Sequence, residues 1–103
     1  MSWWLYVLEC KGGVLYTGIA TDVDARFEAH RKGARGAKFT RMNRPLRILG
    51  RALLATKGEA LRAEFALKRL PRAQKLRWCA AGLGAFIASL SPASRRGSAA
   101  SRG

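Results

Sequence analysis

Two short runs rich in aromatic and branched residues, Trp3 to Leu8 and Val14 to Ile19, flank the tripeptide Lys11-Gly12-Gly13. That arrangement commits the start of the chain to a β-hairpin. Side chains alternate between the faces of a strand, so a slip of one residue would turn every side chain over. A three-residue loop ending on a glycine in the left-handed region is a common hairpin connection. It sets Cys10 against Val14, Leu8 against Tyr16 and Tyr6 against Gly18. Both phenols then lie on one face as diagonal neighbours about 7 to 8 Å apart. A four-residue loop would separate them. Gly18 opposite Tyr6 either leaves an open patch of backbone or serves a bulge or bend.

Helices follow. Thr21-Asp22-Val23-Asp24 reads as a capping box with Thr21 at the N-cap, opening a helix to about Lys32 that Gly33 ends. Val23, Arg26, Phe27 and His30 recur at the spacing of one inward stripe. Leu46 to Ala55, with Pro45 at its start, reads as a third strand. Thr56-Lys57-Gly58-Glu59 is a second box, opening a helix to Leu70, and Pro71 starts a shorter one. On the wheel Glu64 has apolar neighbours on both sides, Ala60 and Leu67 on one and Leu61 on the other, so its carboxylate is expected to be partly buried. The apolar stretch Trp78 to Leu90 is too short to span a membrane and contains Gly82 and Gly84; it reads as a buried last helix.

Residues 1–90 form one unit, since a chain of 103 residues can bury a single modest core. From Ser91 the composition turns to Ser, Ala, Gly and Arg, which cannot offset the entropy of ordering, so residues 91–103 read as a disordered basic tail. The opening segment has no basic residue before its apolar run and meets Glu9 at its end, unlike a signal peptide, which points to the cytoplasm. Cys10 and Cys79 read as buried thiols in a reducing compartment, and no Cys/His cluster is spaced to hold zinc.

Twenty Lys plus Arg against six Asp plus Glu leave a formal charge of +14, an excess that draws polyanions through counterion release. Nucleic acid is the expected partner, DNA ranked ahead of RNA. From Ala29 to Gly58 there is no acid, and Arg31, Lys32, Arg35, Lys38, Arg41 and Arg44 are expected to meet the phosphates, together with Lys68 further on. Simple ion pairing does not explain the block. Phe39 reads as a loop anchor rather than a base-stacking platform.

Taken singly, each chemistry-bearing residue has an ordinary explanation. A helix-flank arginine such as Arg26 snorkels to solvent, a half-buried His30 is commonly structural, and Glu64 can pair with Lys68 at i+4. Tyr6 and Tyr16 can be strand tyrosines reaching a hydrogen-bond partner. Their joint pattern is stronger than its parts.

Trp4-Leu5-Tyr6, nine intervening residues, Tyr16-Thr17-Gly18, then Arg26, His30 and Glu64 within Ala63-Glu64-Phe65-Ala66-Leu67-Lys68 resemble a GIY-YIG nuclease domain, over most of residues 3 to 78. The run Gly36-Ala37-Lys38-Phe39-Thr40-Arg41 resembles the small standalone bacterial members. Trp4 and Leu5 stand where the family has Gly and Ile, and Thr17 replaces the second Ile. Members with an asparagine after the glutamate have no counterpart here, where the sole asparagine is Asn43. The resemblance implies an α+β fold with a small three-stranded antiparallel sheet flanked by helices. It also implies metal-dependent cleavage of nucleic acid leaving 5′-phosphate ends, with Tyr6, Tyr16, Arg26, His30 and Glu64 catalytic.

Such chemistry divides sensibly among these residues. Mg2+ or Mn2+ would bind through Glu64, since one carboxylate with waters and phosphate can suffice. Arg26 would clamp the scissile phosphate. Tyr6, with its pKa lowered by surrounding cations and helped by His30 and Tyr16, would be the base, giving activity that rises above neutral pH. A partner protein would supply targeting. The alternatives are a non-catalytic basic nucleic-acid-binding protein and, ranked last, a peripheral membrane protein.

Overall fold

A computed structural model describes residues 2–31 and 44–90. Expectations for Lys32, Gly33, Arg35, Lys38, Phe39, Arg41, Asn43 and the tail 91–103 lie outside the described residues. The chain order is β1 (Trp3–Cys10), β2 (Leu15–Ala20), α1 (Val23–Arg31), β3 (Pro45–Leu54), α2 (Lys57–Lys68), α3 (Arg72–Ala81) and α4 (Leu83–Leu90). The strands form one antiparallel sheet in the order β2-β1-β3, with β1 in the centre.

The hairpin has the expected register. Tyr6 pairs with Gly18 and Leu8 with Tyr16, and the Cys10 N–H donates to the Val14 carbonyl at 2.7 Å. Two turn residues take the left-handed region that glycine enters without penalty, Gly12 at φ 81° and Gly13 at φ 80°. Arg72, at the start of α3, donates to the Gly13 carbonyl and ties the turn to the far end of the chain.

Alternation on β1 builds two cores, one per face. Leu5 and Val7 join Ala52, Leu54, Ala60, Ala63, Leu67, Leu83 and Phe86 under α2 and α4. Tyr6, Leu8 and Cys10 join Ala20 and Val23 under α1, with Trp4, Tyr16, Phe27 and Ile48 packed alongside. On β3 the register shifts twice, between Val7/Leu8 and Glu9/Cys10, so Leu49 and Leu46 are extra residues in the ladder. Bulges of this kind bend an edge strand.

Several local expectations are corrected. The N-cap of α1 is Asp22, whose carboxylate accepts from the Ala25 N–H at 3.0 Å, one residue after Thr21. The third strand starts at Pro45 as expected and ends at Leu54, one residue before Ala55. Helix α2 ends at Lys68 rather than Leu70, because Leu70 precedes Pro71, a position that disfavours helical backbone. Its N-terminus is as expected: Thr56 accepts from the Glu59 N–H at 3.1 Å, while the Glu59 carboxylate accepts from the Ala55 N–H at 3.3 Å. The expected last helix over Trp78 to Leu90 is two helices, α3 and α4, broken at Gly82, which sits at φ 109°. Only Leu83 and Phe86 of α4 are buried. Among the described residues no helix is long and apolar enough to cross a membrane.

Candidate active site

Tyr6 is 1% exposed, a tyrosine at the centre of the sheet with its hydroxyl buried and no hydrogen-bond partner among the described residues. Gly18 explains how the ring fits. A Cβ at Gly18 would lie 2.7 Å from the Tyr6 hydroxyl oxygen, 2.9 Å from Tyr6 Cζ and 3.3 Å from Tyr16 Cε2. The patch expected to be open backbone is therefore occupied by the Tyr6 phenol, which lies across Gly18 on β2. Glycine is required here for close approach.

The remaining residues gather around that phenol. The Tyr6 and Tyr16 rings are 6.3 Å apart, tilted by 42°. Tyr16 and His30 meet edge to face at 5.2 Å. His30 reaches Tyr16 from the buried side of α1, where Val23 is also buried and Phe27 half-buried. Arg26 departs from the expected inward stripe and is exposed on the flank of α1. It nonetheless lies close enough for its charge to act on both Tyr6 and His30. Glu64 arrives from α2, on the opposite face of the sheet, and its charge also acts on Tyr6. Its side chain is 19% exposed, partly buried as expected, and its Oε2 lies 3.3 Å from Lys68 Nζ. The i+4 ion pair with Lys68 is thus present.

These surroundings set protonation. Burial, then the neighbouring Tyr16 phenol, push the Tyr6 hydroxyl well above the usual phenol range, Glu64 adds to the rise, and Arg26 opposes it without prevailing. The expectation that surrounding cations lower the Tyr6 pKa is thus overturned: removing the ring from water outweighs the one guanidinium near it. His30 moves the other way, lowered from 6.5 by burial and then by Arg26. At neutral pH Tyr6 is a neutral hydroxyl and His30 a neutral imidazole. Glu64 is the carboxylate of the constellation, and among the described residues no group of three or more His, Cys, Asp and Glu side chains stands together.

One cation of the basic block lies beside a site residue in a way that composition did not reveal. Arg51 is the cross-strand partner of Tyr6 on β3. It donates to Asp24 at 3.3 Å and lies over the Trp4 ring at 5.7 Å. The sequence could not place it there, because no turn joins β1 to β3 to fix their register. Acids outside the block also answer several of its cations, contrary to expectation. Besides Arg51 with Asp24, Arg31 pairs with Glu28 at 2.7 Å and Arg47 with Glu9 at 2.6 Å. Arg44 is exposed, with its carbonyl accepting from the Lys11 N–H. Thr17, buried among apolar residues on the other face of β2, keeps a hydroxyl with no partner among the described residues.

Comparison with known proteins gives a consistent result. Residues 2–77 match the family described as the GIY-YIG catalytic domain. A UPF0213 protein of Cupriavidus pinatubonensis is 55% identical over 79 residues, 77% of this chain and 87% of that protein. A UPF0213 protein of Staphylococcus aureus is 43% identical over 76 residues, 74% of this chain and 92% of its own length. The solution NMR structure of the UPF0213 protein BH0048 from Bacillus halodurans superposes with a TM-score of 0.50 at 41% identity, covering 78% of this chain and 84% of that one.

Proposed function

Since the chain belongs to the GIY-YIG catalytic-domain family, a membership that implies nuclease-type activity, we propose that it is a magnesium-dependent endonuclease acting on DNA in repair or processing. The observation that carries this reading is the Tyr6 phenol on β1, buried across Gly18 with its hydroxyl unpartnered among the described residues. Tyr16 and His30 line the same spot.

The residues present fit magnesium. A carboxylate and a phenol oxygen are hard donors, and a site with one carboxylate suits an ion that keeps several waters and takes further oxygens from phosphate. Glu64 would hold it, and when bound it would supply Lewis-acid polarisation of the phosphoryl group. The chain's own side chains do the rest. Arg26, exposed on α1, presents a planar fork of donors to the scissile phosphate and remains charged at any working pH. The neutral Tyr6 hydroxyl donates a hydrogen bond and orients the attacking water. His30, neutral at physiological pH, receives the proton that water gives up, and Tyr16 packs between them and fixes the imidazole plane. Arg31, Arg44 and Lys68, with Lys32, Arg35, Lys38 and Arg41 of the same sequence block, bind flanking phosphates. They contribute affinity without base specificity. A targeting partner protein and a cytoplasmic location complete the reading.

The test is incubation of wild type and Glu64→Ala with labelled duplex, flap and single-stranded DNA and with RNA, with and without magnesium or manganese. Divalent-dependent cleavage of DNA is expected from wild type and none from Glu64→Ala, with binding retained. The second reading, a non-catalytic nucleic-acid-binding protein, is favoured by the Glu64–Lys68 ion pair. It predicts that neither protein cuts any of these substrates.

A further inference from the structure

The Glu64–Lys68 pair is not an ordinary surface contact. Its two halves differ in exposure, 19% for the Glu64 side chain and 54% for Lys68, so the carboxylate is the enclosed half and the ammonium the half that meets solvent. Helix spacing brings them together: residues four apart on α2 share one face. An ammonium 3.3 Å from Oε2 neutralises the carboxylate through which a divalent cation would enter. Lysine is a compact charge on a flexible stem and moves to another anion without rebuilding its surroundings. A pair whose ammonium stands half in water is weakly held, so a phosphate arriving from solvent can outcompete Glu64 for it.

We propose that Lys68 is an exchangeable counter-ion: it occupies Glu64 in the free protein and passes to a substrate phosphate, so that nucleic acid and divalent cation fill the site together. This rests on the nuclease reading and deepens it. The free protein is held in a state of low affinity for the metal, and the polyanion itself raises that affinity. Lys68 is a positioning residue, since it acts through Glu64. By the reciprocity of linkage, the metal tightens the nucleic acid by the same factor.

The measurement is Mn2+ binding to the full chain, followed by loss of the free-ion paramagnetic resonance signal, for wild type, Lys68→Gln, Glu64→Gln and Arg77→Gln. Arg77 is an exposed cation on α3 and serves as a control for net charge. Without nucleic acid, Lys68→Gln is expected to bind Mn2+ roughly threefold to tenfold tighter than wild type, the scale of a unit charge acting on a dication across several ångströms of water-like medium. Arg77→Gln should match wild type, and Glu64→Gln should lose the site. A hydrolysis-resistant phosphorothioate oligodeoxynucleotide, corrected for the Mn2+ it binds alone, should tighten Mn2+ binding to wild type and narrow the gap to Lys68→Gln. Equal affinities for wild type and Lys68→Gln, with the site still lost in Glu64→Gln, would overturn the exchange and leave the metal reading standing. A shift in Arg77→Gln as large as that in Lys68→Gln would also overturn it. Mn2+ binding indifferent to Glu64→Gln would overturn the metal reading, and the exchange with it.

Discussion

A methyl group at Gly18 would stand 2.7 Å from the Tyr6 oxygen, closer than real Cβ contacts come, so the phenol must shift. Gly18→Ala is therefore expected to destabilise the fold by about 1–3 kcal/mol. It should also lower cleavage by about a hundredfold or more, because displacing a catalytic group by an ångström carries a penalty of that order. Denaturant titration and single-turnover assays check the two effects. Tyr6 carries a second prediction, and its sign follows from its raised pKa. The folded state resists ionisation at a position where the unfolded chain ionises near 10.0, so stability is full below about pH 10 and falls as pH rises above it. Tyr6→Phe removes this dependence, by up to about 1.4 kcal/mol for each pH unit above 10. The same protonation states shape the rate. With His30 lowered from 6.5 as the proton acceptor, activity rises below neutrality and is flat from neutral to mildly alkaline pH. A tenfold rise per pH unit over that range would assign the base to a Tyr6 phenolate instead.

Elements place these groups, and the hairpin does most of the placing. One glycine inserted between Gly12 and Gly13 makes a four-residue loop, moves Tyr16 to the opposite face and abolishes cleavage; circular dichroism with an activity assay would show whether fold and function part in this way. At α2, Thr56→Ala removes the acceptor for the Glu59 N–H and is expected to lower stability by about 1 kcal/mol in denaturant melts. The hairpin register and this cap were legible in the sequence because both are decided by a few adjacent residues. The cap of α1 was misplaced by one residue because Thr21 and Asp22 are both capping types, and the path of the entering chain chooses between them. Apolar continuity from Trp78 to Leu90 hid the break at Gly82, whose φ of 109° is a backbone property that hydropathy does not carry. Arg51 beside Tyr6 was hidden because β1 and β3 are distant in sequence and no turn sets their register. The meeting of Tyr6, Tyr16 and His30 was legible from the hairpin register and the α1 stripe, while the direction of the Tyr6 shift was not, since it depends on burial by the whole fold.

At the scale of the molecule, charge and chemistry are separable. The formal charge of +14 is expected to draw a polyanion, and the single negative charge of Glu64 is expected to matter little to binding. DNA affinity is expected to fall by at least about a hundredfold between 50 and 200 mM salt, with the same logarithmic slope in wild type and Glu64→Ala. A shallow slope, measured by fluorescence anisotropy, would take the basic surface out of the binding. The decisive measurement joins the two quantities: single-turnover cleavage of labelled DNA in magnesium by wild type, Tyr6→Phe and Glu64→Ala, with affinity read on the same samples. Convergence of phenol and carboxylate on one phosphate predicts that both variants lose about a hundredfold or more in rate at unchanged affinity, with wild-type products carrying 5′-phosphates. Cleavage that persists undiminished in Glu64→Ala, or that falls only in step with affinity, would contradict it.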